Sequence, residues 1–126
     1  MALVHGTSIT EQIIGMAIEV HPQLGPGLLE SAYEECLCFE LTAKGLAYAR
    51  QVPLPVVYKE VRLDSTYRMD IVVENEVIIE IKAVDRLVPI HEAQMITYLK
   101  LSGLKVGLLL NFNSVLLKEG IRRIVL

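Results

Sequence analysis

The stretch from Leu63 to Lys82 constrains this chain more than any other. Two strand-like arms, Leu63 to Val73 and Val77 to Lys82, flank Glu74-Asn75-Glu76, which reads as an antiparallel hairpin. If Val73 faces Val77 across that turn, Ile71 faces Ile79 and Met69 faces Ile81, so one face is wholly apolar. On the other face Arg68 meets Lys82, and Asp70 lies opposite Glu80. A slip of one residue would mix the two faces, so the pattern itself selects this register.

That register sets two acids side by side. Carboxylates ~4 Å apart repel by roughly 4 kcal/mol at an effective dielectric of about 20, and like charges facing each other destabilise a sheet. A divalent cation bound between them would relieve the repulsion; hard oxygen donors suit Mg²⁺ or Mn²⁺. Keeping one carboxyl protonated is the other escape. Glu80-Ile81-Lys82 taken alone reads as an exposed pair on one strand face. Its neighbours Val77, Ile78, Ile79, Ala83 and Val84 are apolar, however, which makes the strand central. Charges in such a place are seldom kept without a partner.

Around the hairpin the periodicities predict an α/β sandwich on a mixed sheet. A first helix begins with Thr7 or Ser8 as cap and Glu11 in the capping box, and ends at His21-Pro22. Gly25-Pro26-Gly27 is a turn; it lacks the Lys-Ser/Thr pair of a phosphate loop. A second helix runs from about Leu28 to Lys44, with Gly45 ending it. Val52, Leu54, Val56 and Tyr58 alternate as one strand, which Pro53 and Pro55 place at an edge or delay in its start. Pro89 opens a third helix that ends near Leu101, with Gly103 beyond it. Lys105 to Phe112 is an apolar strand. Val115 to Leu117 and Ile121 to Val125 form a short terminal pair. The order is α-α-β-β-β-α-β plus short C-terminal strands, and the β-α-β step implies a crossover.

The 126 residues fit a single domain spanning 1–126. A hydrophobic share of 52% suggests strands buried on both faces or a surface covered by a partner, and a homodimer is one expectation. The formal charge of −3 argues against a strong unaided grip on nucleic acid, although bound cations would change that balance. Cys36 and Cys38 stand at i and i+2 of a helix and point apart, so they read as reduced thiols of a cytoplasmic protein. The N-terminus lacks the basic-then-apolar pattern of a signal peptide, and no apolar run approaches the ~20 residues of a membrane span. Lys118, Arg122 and Arg123 form a small basic cluster that reads as a solvated face.

Asp70, nine intervening residues, and Glu80-Ile81-Lys82 resemble the D…(D/E)-x-K signature of the PD-(D/E)xK nucleases. Gly27-Leu28-Leu29-Glu30-Ser31-Ala32-Tyr33 is similar to the motif that names the GxxExxY family within that superfamily. Tyr67-Arg68-Met69-Asp70, His91-Glu92-Ala93-Gln94, Tyr98-Leu99-Lys100 and Gly107 to Phe112 resemble its further blocks, so the likeness covers nearly the whole chain. The resemblance implies a restriction-endonuclease-like core and metal-dependent hydrolysis of phosphodiester bonds in DNA or RNA. It implies Asp70, Glu80, the carbonyl of Ile81 and Glu30 as ligands of Mg²⁺ or Mn²⁺. Lys82 would orient or help deprotonate the attacking water or offset phosphate charge, and Gln94 would support the site. His91, Gln94 and Tyr98 share one helix face. Tyr33 reads first as a packing residue. The competing expectation is a non-catalytic binding or assembly module that keeps the fold, or a nuclease delivered to its substrate by a protein partner.

Overall fold

A computed structural model describes residues 5–63 and 67–126. The chain forms α1 (His5–Leu24), α2 (Glu30–Ala43), β1 (Tyr48–Pro53), β2 (Val56–Tyr58), β3 (Val61–Leu63), β4 (Arg68–Val73), β5 (Val77–Lys82), α3 (Pro89–Ser102), β6 (Val106–Asn111) and β7 (Ile121–Val125). Five strands make one mixed sheet in the order β1-β4-β5-β6-β7, and β2 and β3 pair as a separate ribbon. The α/β architecture, a mixed central sheet flanked by helices, is the one expected from the periodicities.

Alternation along the central strands sorts the core into two layers. Ile71, Ile79, Ile81, Leu108 and Leu110 pack with Leu37 and Leu41 of α2 and Ile13 of α1. Val72, Ile78 and Leu109 pack on the other side with Met95, Tyr98 and Leu99 of α3. β5 and β6 are therefore buried on both faces, and they are parallel, joined through α3. Gly107 lets α3 approach the sheet, since a Cβ there would lie 2.8 Å from the Met95 Cγ.

The helix ends follow the expected chemistry except at the first. α2 closes with the Gly45 N–H on the Thr42 carbonyl and the Leu46 N–H on the Leu41 carbonyl, Gly45 being left-handed at φ 76°. Pro89 stands in the first turn of α3, and left-handed Gly103 ends it. α1, however, starts at His5 rather than at a Thr7 or Ser8 cap, and it passes through His21-Pro22 to Leu24. Proline disfavours a helical residue before it. Here tertiary bonds hold that residue: buried His21 donates through Nε2 to the carbonyls of Phe112 (3.1 Å) and Ser114 (2.8 Å).

Three strand expectations are corrected. Val52 to Tyr58 is not one strand, because Pro53 and Pro55 lack the N–H that would continue the ladder; β1 ends at Pro53 and β2 leaves the sheet. The first hairpin arm begins at Arg68, while Val61–Leu63 pairs with β2; the remainder of that arm, residues 64–66, lies outside the described residues. The tail is not a hairpin of its own: a 3-10 turn, Leu117–Gly120, leads into β7, which pairs with β6.

Candidate active site

The β4–β5 register is the expected one where the strands pair: Val73 faces Val77, Val72 faces Ile78, and Ile71 faces Ile79. Beyond Ile71 the backbone pairing stops and two side chains take over. The Asp70 N–H donates to Glu80 Oε2 at 2.9 Å, and the Ile81 N–H donates to Asp70 Oδ2 at 2.8 Å. Each carboxylate thus accepts a backbone proton from the other's strand. The divergence moves Met69 out of the expected apolar face; it packs in the α3 layer instead of opposite Ile81.

Glu80 is only 5% exposed. Burial, and then the charge of Asp70, push its carboxyl up to about 8 against the opposing pull of the Asp70 N–H and Lys82. The Asp70 carboxyl is raised as well, chiefly by burial, with Glu34 and Glu30 adding to the effect and the Ile81 N–H opposing it. Neither acid has an ion-pair partner among the described residues.

Lys82 ends β5, and its Nζ donates to Gln94 Oε1 at 3.2 Å; Gln94 Nε2 in turn donates to the Tyr98 hydroxyl at 3.3 Å. His91, Gln94 and Tyr98 share the α3 face that lines one groove with Lys82, as their spacing predicts. Glu30, the first residue of α2, accepts the Ala83 N–H through Oε2 at 3.2 Å. Tyr33 both packs and positions. Its ring is buried and stacks on Phe112 at 4.6 Å, while its hydroxyl accepts the Leu28 N–H and donates to the Gly25 carbonyl. That hydroxyl fastens the turn leading to Glu30.

Three further contributors had no counterpart among the expected residues. Buried Glu34, one turn beyond Glu30, accepts from Arg50 Nε at 3.0 Å and Gln51 Nε2 at 3.1 Å. Gln51 holds a left-handed φ of 50° and also donates to Asp70 Oδ1 at 3.5 Å, so it links the two acids. Buried Asn111, opposite Lys82 on β6, brackets Val84, donating to its carbonyl at 2.9 Å and accepting its N–H at 3.0 Å. Glu30 and Asn111 together set the backbone just after Lys82. The i, i+4 spacing of Glu30 and Glu34 was the available signal for Glu34.

The structure therefore unites Asp70 with Glu80, and Lys82 with Gln94, while Glu30 reaches the adjoining turn. No three His, Cys, Asp or Glu side chains among the described residues are drawn together into a metal cage. The donor chemistry nonetheless suits a hard divalent cation: oxygen ligands only, with a buried Glu80 whose Oε1 has no donor among the described residues. Because the Ile81 N–H points at Asp70, the carbonyl of the same residue, directed like it in an extended strand, faces the acids too.

Cys36 and Cys38 are free. Burial raises the Cys38 thiol to about 11. Arg122 lies 3.8 Å from Glu92 and bonds carbonyls of its own segment, so the C-terminal basic cluster is a solvated face. No described helix is long and apolar enough to cross a membrane. The family model for the PD-(D/E)XK nuclease superfamily matches residues 7–124. No curated protein and no solved structure matches.

Proposed function

The chain belongs to the PD-(D/E)XK nuclease superfamily, and on that premise we propose that it is a metal-dependent nuclease, of the GxxExxY kind, that hydrolyses phosphodiester bonds in DNA or RNA. The carrying observation is the exchange between half-buried Asp70 and buried Glu80, two acids on adjacent strands, beside a lysine held by Gln94. Asp70, Glu80, the Ile81 carbonyl and Glu30 would hold Mg²⁺ or Mn²⁺. When bound, such an ion lowers the pKa of water and offsets charge on the phosphate.

The remaining roles belong to the chain. Lys82, oriented by Gln94, offsets charge at the scissile phosphate and orients the attacking water. Gln51 and Glu34 fix the Asp70 carboxylate. Glu30 and Asn111 hold the turn that follows Lys82. Water adds to phosphorus as the bond to the leaving oxygen breaks, giving a phosphate monoester end and a free hydroxyl end.

A second reading, a module for assembly with another copy or a protein partner, is favoured by the β2–β3 ribbon. Tyr58, Val61 and Leu63, which share one face of the ribbon, are all exposed there, an apolar surface of the kind that partners cover. One assay separates the readings: purified protein with Mg²⁺ or Mn²⁺ against single- and double-stranded DNA and RNA, beside Asp70→Asn and Lys82→Ala. Cleavage lost in both variants supports the nuclease. Cleavage that persists in both removes this site from the reaction, and no cleavage of any substrate favours the module.

A further inference from the structure

Beside the acids lies a groove of about 530 Å³ that shares Lys82 and Gln94 with the site. Its remaining wall is mostly apolar and aromatic. Tyr98 is buried, but Tyr67 is 55% exposed and Ile90 68% exposed, so apolar surface faces solvent beside a polar centre. His91 accepts the Val88 N–H at Nδ1 (3.0 Å), and the neutral ring therefore carries its own proton on Nε2, as a donor.

We infer that this groove seats an unpaired nucleobase, stacked against the exposed Tyr67 ring, so that the substrate is presented as a single strand. The inference rests on the nuclease reading and names its substrate class. A base has two apolar faces and a polar edge, which match aromatic walls carrying a few donors. A phosphate chain matches poorly: among the described residues Lys82 is the only lysine or arginine lining the groove, and the whole chain carries −3. Proteins that hold duplexes by their backbones spread many cations along them. Stacking is the source of affinity left to this surface. A paired base could enter only by leaving its helix, whereas a single strand offers bases already free.

The test is binding by fluorescence anisotropy, with Ca²⁺ in place of Mg²⁺ to prevent turnover. The probes are a short single-stranded DNA, the same length of RNA, the DNA duplex, and an abasic strand of equal charge. Either single strand should bind at least about tenfold more tightly than the duplex and the abasic strand. Tyr67→Ala and Ile90→Ser, both at exposed positions, should bring it down to the abasic level. The DNA and RNA arms identify which sugar the site accepts. Equal binding of abasic and normal strands, or no effect of either substitution, overturns the inference. Cleavage of duplex as fast as single strand, unaffected by Tyr67→Ala, overturns it while leaving the nuclease reading intact. Base-dependent binding without cleavage supports the pocket and removes the nuclease. A dimer that Tyr67→Ala or Ile90→Ser dissociates overturns the inference by giving the groove to a second copy.

Discussion

At the residue scale, Glu80 dictates a pH dependence. Its folded value of about 8 lies above the ordinary 4.5, so between these limits the folded state holds the proton more firmly than the unfolded chain. Stability is therefore lost as pH rises through that window. In metal-free buffer the thermal midpoint should fall between about pH 5 and 8, and Glu80→Gln should flatten the profile. A wild-type midpoint indifferent to pH would contradict the burial and coupling described. Asp70 allows a sharper comparison. Asp70→Asn keeps an oxygen for the Ile81 N–H and should fold normally while losing cleavage. Asp70→Ala leaves that donor without its acceptor and should lose roughly 1–3 kcal/mol in chemical denaturation. The Asp70–Glu80 encounter was legible because alternation selects one register. Gln51 was not legible: no glycine or asparagine marks its left-handed backbone, and its partner Glu34 comes from a distant helix.

At the scale of elements, segments with one dominant local signal were the readable ones. α3 has proline at its start and glycine at its end, and β5 and β6 are rich in buried β-branched and leucine residues, interrupted in β5 by Glu80 and Lys82. The β2–β3 ribbon was missed because Lys59 and Glu60 make its turn at φ 49° and 70° without glycine or asparagine. The end of α1 was missed because bonds to Phe112 and Ser114 override the proline. Two substitutions probe how the elements brace the site. Gly107→Val would force Met95 away from β6 and should cost about 1–3 kcal/mol by overpacking, read by urea denaturation. Asn111→Ala would leave both polar groups of Val84 without partners and should cost about 2–4 kcal/mol. It should also lower cleavage more than Gly107→Val does, because Val84 belongs to the turn that follows Lys82.

At the scale of the molecule, both helical layers converge on one end of the sheet. Glu30 and Glu34 come from the α2 side, Gln94 and Tyr98 from the α3 side, and the acids and lysine from strands between them. A cation bound there should stabilise the whole fold. At a hundredfold excess over its dissociation constant the gain is about 2.7 kcal/mol, or on the order of 10 °C in thermal midpoint. Mn²⁺ should produce that shift in the wild type and none in Glu80→Ala; an equal shift in both would put the ion elsewhere. The opened β4–β5 ladder has an evolutionary corollary. Asp70 and Glu80 serve as acceptors for main-chain protons that no neighbouring strand receives. Selection against misfolding would preserve an oxygen acceptor at both positions in a descendant that had stopped turning over substrate. Among relatives of this chain, silencing of the chemistry should therefore register first at Lys82, whose side chain takes no part in the ladder and hydrogen-bonds, among the described residues, to Gln94.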